Sequence, residues 1–202
     1  MQDPKTPGVV LAGGQSRRMG GGDKALLVLG KKRLLEHVLA RMAPQVERLA
    51  INANGDVSRF SAFDYSVLPD PIPGFPGPLA GVLAAMDWAH SLGARSVATV
   101  AADTPFFPAD LVERLGKAQN PDGIAIAATG TGTALDWHPT FGLWPVDLRH
   151  ALRRDVLAGQ RKVIAWALQN KAVAVLFDQK DEAFFNINTP EDLLVAQQRH
   201  DV

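Results

Sequence analysis

The sequence predicts an α/β fold, a doubly wound and mostly parallel sheet with helices on both faces, in a single domain. Short apolar or β-branched runs alternate along the chain with longer segments whose apolar residues recur at helical spacing. The first run, residues 9–12, is apolar throughout, as expected of a parallel strand that is covered on both faces. A length of 202 residues suits one large domain with a substantial core.

The elements follow in order from these patterns. Strands are predicted at residues 9–12, 48–52, 65–68, 96–102, 123–128, 141–144 and 172–177. Helices are predicted at residues 34–42, 79–88, 108–118, 146–157, 162–168 and from 190 onward. Pro44 closes the first helix, and Thr189 followed by Pro190 begins the last. The run 96–102 has the small and β-branched residues of the most central strand, whereas residues 129–133, rich in Thr and Gly, are expected to form a flexible turn.

Composition narrows the function classes. The formal net charge is zero, so nothing electrostatic favours nucleic acid or an anionic membrane as a partner. Cysteine is absent, which excludes disulfides, thiolate catalysis and cysteine zinc sites. No apolar run reaches the length of a membrane span, and the first residues have no apolar signal core behind them. We therefore expect a cytoplasmic enzyme.

The stretch 8–27 contains the most informative motif. Five glycines lie between residues 13 and 22, and three cations accompany them, Arg17, Arg18 and Lys24. Glycines leave backbone N–H groups uncovered and permit positive φ, and cations beside them attract anions. The combination predicts a polyphosphate-binding loop after the first strand.

Three common motifs do not fit this stretch. A Walker A loop needs Ser or Thr after its lysine, but Lys24 is followed by Ala25. A dinucleotide-binding fingerprint fits residues 20–25 only with its permitted alanine ending, and those glycines lie several residues beyond the strand. A nucleophile elbow starting at Gly14 would need glycine where Arg18 stands.

Polar residues follow several predicted strands, at the edge where ligands bind in parallel α/β sheets. Asp103 directly follows the central strand, and a carboxylate there, across the edge from a phosphate loop, is well placed to hold Mg²⁺. Asn52 and Asn54 follow the second strand, where an asparagine can contact a base or ribose. For Asn54 an ordinary turn is an equal alternative.

Six groups of letters resemble one family, the molybdenum cofactor guanylyltransferases of the nucleotidyltransferase superfamily, whose fold is Rossmann-like and GT-A-like. They are LAGG at 11–14, SRRMG at 16–20, DK at 23–24, PGPLAG at 76–81, HPT at 138–140 and NINTP at 186–190. Related transferases that use CTP usually have LAAG in place of LAGG. One departure is Lys31-Lys32-Arg33, where the family commonly has Gly-Lys-Pro before the first helix.

The resemblance implies an activity and a set of site residues. The reaction would transfer GMP from GTP to the phosphate of molybdopterin or Mo-molybdopterin and release pyrophosphate, with Mg²⁺ as cofactor and Asp103 as its ligand. The implied catalytic residues are Arg18, Lys24 and Asp103. The implied nucleotide contacts are Leu11, Ala12, Gly13, Gly14, Lys24, Asn52, Asp70 and Asp103. The implied acceptor contacts are Arg18, Gly77, His138, Asn186 and Asn188, with the two asparagines as acceptor-side or metal-side ligands.

The same resemblance divides the chain into a nucleotide-binding half, about residues 7–128, and an acceptor-side half, about 129–202. Transient contact with proteins of molybdenum cofactor biosynthesis, or with acceptor proteins, would fit this role. Alternatives remain: a CTP-using molybdopterin cytidylyltransferase, a sugar-phosphate nucleotidyltransferase, or a non-catalytic carrier of a nucleotide or pterin. His138 could equally be a turn histidine held by Pro139.

Overall fold

The computed structural model describes residues 6–13, 23–74, 77–120, 123–132, 134–177 and 183–200. Its strands are β1 Gly8–Leu11, β2 Val28–Leu29, β3 Lys32–Arg33, β4 Leu49–Asn52, β5 Ser66–Leu68, β6 Ser96–Ala101, β7 Ala125–Thr131, β8 Ala134–Pro145 and β9 Val173–Leu176. Its α-helices are α1 Leu34–Met42, α2 Pro78–Ser91, α3 Leu111–Ala118, α4 Arg149–Leu157, α5 Val163–Gln169 and α6 Pro190–His200.

A seven-stranded sheet organises the molecule, in the order β5-β4-β1-β6-β8-β7-β9. Strand β1 is parallel to β4 and β6, β4 is parallel to β5, and β7 is parallel to β9. Only β8 runs antiparallel to its neighbours, β6 and β7, among the paired strands of this sheet. The predicted fold class, a mostly parallel doubly wound sheet, is confirmed, and β6 occupies the central position as expected.

Helices cover both faces because side chains alternate along the buried strands. Val10 of β1 packs in the same cluster as residues of α1 and α3, whereas its neighbour Val9 packs with residues of α2, α4 and α5. A smaller cluster joins α6 and the segment before it to the β2–β3 hairpin and the start of α1, through Ala196, Ile187, Leu29 and Leu34. None of the helices in the described ranges is long and apolar enough to cross a membrane.

The prediction of a flexible turn at residues 129–133 was wrong for residues 129–131, which belong to β7. Strand β7 continues through Thr131 and pairs in register with the start of β8, so that Thr129 lies opposite Asp136. Gly130 has a φ of 108°, and an added Cβ would lie 2.2 Å from the carbonyl oxygen of Ala134, so glycine is required there for the strands to approach. The predicted strand 141–144 is only the last part of β8.

Strand β8 carries a bulge where it pairs with β7. Between the pairs Ile126–Gly142 and Ala128–Trp137, residues 138–141 of β8 lie opposite the single residue Ala127. Pro139 within the bulge has no N–H for a ladder bond. Thr99 fixes the bulge from β6, because its Oγ1 donates to the carbonyl oxygen of Thr140 at 2.8 Å.

Of two helix starts, that of α1 agrees with the prediction and that of α3 differs from it. Lys32 and Arg33 form β3, so the basic residues that replace Gly-Lys-Pro belong to a short hairpin, and α1 begins at Leu34. The backbone N–H of Arg33 donates to Glu36 Oε2 at 2.7 Å, which satisfies an N-terminal donor of that helix. Helix α3 begins at Leu111 rather than at residue 108.

Candidate active site

A cleft of about 610 Å³ lies at the carboxyl ends of β1, β4 and β6. Its other walls are the first turns of α2, the bulge of β8 and the segment before α6. The neighbours of β1 are β4 on one side and β6 on the other, so the order of the chain reverses at this strand. Doubly wound sheets bind their ligands at such a point.

Lys24 and Asp103 form the charged centre of the cleft. Lys24 Nζ lies 2.6 Å from Asp103 Oδ2, and it also donates to Asn188 Oδ1. The lysine is carried by a short helical turn, Lys24–Leu26, which Asp23 caps by accepting a hydrogen bond from the N–H of Ala25. An anion entering the cleft would therefore meet an ammonium group that is already held in place.

The segment before α6 is fixed against the end of β6. The N–H of Ile187 donates to the carbonyl oxygen of Asp103 at 2.9 Å. Thr104, which is fully buried, has its Oγ1 3.1 Å from Asp103 Oδ1 and 2.5 Å from Asn186 Oδ1. The segment thus brings Asn186 beside the carboxylate that follows β6.

The N-terminus of α6 holds Asn188 in position. Asp192 Oδ2 accepts hydrogen bonds from the N–H groups of Asn188 and Thr189, and the N–H of Asp192 donates to Thr189 Oγ1. This reciprocal pattern is a capping box. The hydrogen bond from the N–H of Asn188 is the main cause that lowers the pKa of Asp192. The predicted cap at Thr189 is therefore present.

Asn52, Asn54 and Asp70 form a polar network on the other side of β1. Asp70 Oδ1 accepts from Asn52 Nδ2 at 2.9 Å, and Asp70 Oδ2 accepts from Asn54 Nδ2 at 2.7 Å. The N–H of Asp70 donates to Asn54 Oδ1. Asn52 Oδ1 faces α2, where a Cβ on Gly81 would lie only 2.4 Å away. Gly81 therefore allows the helix to approach the end of β4.

His138 lies in an aromatic part of the cleft. Its ring stacks on Phe184, with centroids 4.0 Å apart and an interplanar angle of 10°. His138 Nε2 lies 3.0 Å from Thr129 Oγ1. Burial lowers the pKa of His138, and the negative charge of Asp136 opposes that shift. Burial therefore favours the neutral form of the imidazole.

The structure brings most of the predicted site residues together. The following line the cleft: Leu11, Ala12, Gly13, Lys24, Asn52, Asp70, Gly77, Asp103, His138 and Asn186. Asn188 joins them through its hydrogen bond to Lys24. Gly14 and Arg18 lie outside the described residues. The functional role of each residue stays a prediction.

Sequence reasoning missed several residues of the site. Thr104 directly follows Asp103, and a hydroxyl beside a strand-end carboxylate was a signal that could have been used. Trp137 and Phe184 line the cleft, but no local pattern marks either of them, because each reaches the site through the pairing of distant strands.

The donors in the cleft are oxygens, which suit a hard divalent cation such as Mg²⁺ or Mn²⁺. Across the described ranges, no three His, Asp or Glu side chains cluster closely enough to form a metal site by themselves. Mg²⁺ does not need such a cluster, because it binds through one or two carboxylates together with phosphate oxygens and water. Asp103, with Thr104 and Asn186 beside it, fits that requirement.

The sheet topology, with a lysine and an aspartate facing each other at its switch point, defines the class of α/β nucleotide-binding transferases. Residues 8–174 match the family model described as the MobA-like NTP transferase domain, and the chain belongs to this family. It is 47% identical over 197 residues to a molybdenum cofactor guanylyltransferase of Bradyrhizobium sp. (strain ORS 278). The alignment covers 95% of this chain and 91% of that relative. A relative of the same name from Mesorhizobium japonicum is also 47% identical, with 94% of this chain and 93% of the relative covered.

Solved structures share the whole fold. The molybdopterin-guanine dinucleotide biosynthesis protein A of Archaeoglobus fulgidus superposes with a TM-score of 0.78 at 26% identity, covering 97% of this chain and 99% of that one. A Mycobacterium tuberculosis protein in complex with manganese has a TM-score of 0.70 at 17% identity, over 96% of this chain and 98% of that one. At that identity the likeness concerns the fold alone. The resemblance found in the sequence is confirmed.

Proposed function

We propose that this protein transfers GMP from GTP to the terminal phosphate of molybdopterin or Mo-molybdopterin. An oxygen of the pterin phosphate attacks the α-phosphorus of GTP, the bond between the α-phosphorus and the bridging oxygen breaks, and pyrophosphate leaves. The observation that carries the proposal is the Lys24–Asp103 pair at the switch point of the sheet. The guanylyltransferase relatives support it over almost the whole length of the chain.

The main barrier to this reaction is the electrostatic repulsion between two approaching anions. Positively charged residues of the cleft would reduce that repulsion. A pair of unit charges 4 Å apart is worth about 4 kcal/mol at an effective dielectric constant of about 20. The ammonium of Lys24 supplies positive charge beside the phosphates, and Asn188 fixes its direction. Arg18 would steer the acceptor or the leaving group. A phosphate nucleophile is ionised near neutral pH, so the reaction needs no general base.

Asp103 would hold a divalent ion, which we propose to be Mg²⁺. When bound, the ion supplies further positive charge against the phosphates. Thr104 orients the carboxylate for this role, because its Oγ1 contacts Asp103 Oδ1 whereas Lys24 contacts Oδ2, and Asn186 in turn contacts Thr104. Asn52 and Asp70 would contact the guanosine, and Gly77, His138 and Asn186 would contact the acceptor. Residues 7–128 would form the nucleotide-binding half and residues 129–202 the acceptor-side half, with Gly77 of the first half also contacting the acceptor.

Release of pyrophosphate is the measurement that tests this function. The protein is incubated with Mg²⁺ and GTP, CTP, ATP or UTP in turn, with and without molybdopterin. Release from GTP only in the presence of the pterin is the expected result. Release from CTP instead would keep the reaction class but overturn the base assignment, and nucleotide binding without release would favour a carrier.

A further inference from the structure

Arg59 lies between two parts of the cleft without lining it. It belongs to the short turn Val57–Phe60 that follows β4. Its Nε donates to Asp23 Oδ2 at 2.5 Å, and its Nη2 donates to the carbonyl oxygen of Asn54 at 2.8 Å. Its guanidinium stacks over the buried ring of Phe60, 4.4 Å from the centroid. Its Nη1 also donates to the carbonyl oxygen of Asp56, so contacts with four residues fix the orientation of the guanidinium.

Through Asp23, Arg59 is connected to Lys24, the residue proposed to contact the phosphates. Asp23 uses one carboxylate oxygen for Arg59 and the other for the N–H of Ala25, which caps the turn that carries Lys24. The position of Lys24 thus depends on the position of Asp23, and Asp23 in turn is held by Arg59.

Through Asn54, Arg59 is also connected to Asp70, which is proposed to contact the guanosine. The carbonyl oxygen of Asn54 accepts from Arg59, while the side chain of Asn54 binds both the carboxylate and the N–H of Asp70. Asp70 also accepts from Asn52. One guanidinium therefore connects the two polar groups that lie on opposite sides of β1.

We infer that Arg59 is a positioning residue. It sets the distance between the part of the nucleotide cleft around Lys24 and the part around Asn54 and Asp70. The inference rests on the proposed function, because it concerns the binding of GTP at this same site. Arginine is required for geometric reasons, since a planar guanidinium can donate to Asp23 and Asn54 at once. A lysine would keep the charge but present a single nitrogen.

The test compares Arg59→Ala and Arg59→Lys with the wild type in kcat, in KM for GTP, and in the preference for GTP over ATP. Both variants should lower kcat/KM by about 10- to 100-fold, because small displacements of aligned groups cost that much. We expect kcat to fall and KM to rise together, and the GTP preference to fall about tenfold. Arg153→Ala is the matched control, because Arg153 is paired with Asp87 on the surface of α4 and α2.

Two results would overturn the inference. The first is a lower apparent kcat with KM and the GTP preference unchanged, because that pattern means only that less of the variant protein is folded. If Arg59→Lys behaves like the wild type, charge alone suffices and the double contact is unnecessary.

A double-mutant cycle tests the connection directly. Arg59→Ala and Asp23→Asn remove the same ion pair, so the combined variant should be little worse than the worse single one, whereas additive losses would contradict the connection. The proposed function is tested separately, because a wild type that releases no pyrophosphate from GTP refutes that function. Calorimetric GTP binding to the same variants still tests the inference in that case.

Discussion

At Lys24, one ammonium group hydrogen-bonds to side chains from two distant parts of the chain, Asp103 and Asn188. A lysine bound in this way loses little conformational freedom when a phosphate arrives, because its side chain is already ordered. The single residue thus contributes both charge and prior orientation. Its position also makes Asp103 a carboxylate with two functions, as the partner of Lys24 and as the proposed ligand of Mg²⁺.

Asp103→Asn is the residue-scale prediction. The substitution keeps the shape of the side chain and removes its charge, so turnover should fall by about 100-fold or more. The thermal unfolding midpoint should change little, because Asp103 is only partly buried. Asp87→Asn provides the control, since Asp87 is likewise paired with a basic side chain, that of Arg153, but lies outside the cleft. Activity within about threefold of the wild type would remove Asp103 from the proposed metal site.

At the scale of elements, the packing of α2 against β4 depends on Gly81. An added Cβ would lie 2.4 Å from Asn52 Oδ1 and 3.1 Å from Leu11 Cδ2. We expect Gly81→Ala to destabilise the fold by about 1–3 kcal/mol, as overpacking does, and to raise KM for GTP because Asn52 must move. Urea unfolding and steady-state kinetics measure the two effects.

Gly116 of α3 offers the matched control for that substitution. It is also a helical glycine, but an added Cβ would meet nothing within 4 Å. Gly116→Ala should therefore stabilise the protein by up to about 1 kcal/mol through helix propensity, with no change in KM. Equal effects of the two substitutions would show that the contact with Asn52 is unimportant.

The elements also show what the sequence could predict. Strand β6 and helix α1 were predicted almost to the residue, because β6 is a continuous run of small and β-branched residues and α1 has its apolar residues at helical spacing. Strand β8 was predicted only in part, because its first half is partly exposed and pairs with β7 through a glycine-containing hairpin. Local propensity favoured a turn there, but strand pairing prevailed.

The candidate site was predictable to a similar degree. Strand-end positions identified Asp103 and Asn52, since the rule needs only the strands and their direction. The bond from Asn54 to Asp70 and the link through Arg59 depend on how β4 and β5 align, which the sequence does not reveal. The hydrogen bond from Lys24 to Asn188 joins residues 164 positions apart, beyond the reach of local patterns.

At the scale of the whole molecule, the half-buried imidazole of His138 contributes to the pH dependence of stability. Burial lowers the pKa of His138 below its ordinary value of 6.5, so the unfolded chain binds more protons than the folded one as the pH falls through that value. Stability should therefore decrease from about pH 7 to about pH 5. In His138→Phe, which keeps a ring against Phe184, this part of the decrease should disappear.

Urea unfolding at several pH values measures that difference. The same substitution at His150, an exposed residue of α4, controls for the exchange of an imidazole for a phenyl ring. If the wild type and His138→Phe lose stability in parallel between pH 7 and pH 5, the neutral state of His138 is not a source of the pH dependence.

The contact between Lys24 and Asn188 has a consequence for how the protein is made. A ribosome adds about 5–20 residues per second, so the 164 positions between the two residues correspond to roughly 10–30 s of translation. Strand β1 is made before that interval and β4 and β6 are made within it, whereas the segment that bonds to Lys24 and Asp103 is synthesised only at its end. A nascent chain that lacks this segment therefore cannot assemble the complete cleft. The full stabilisation by bound nucleotide is available only after the segment has been synthesised.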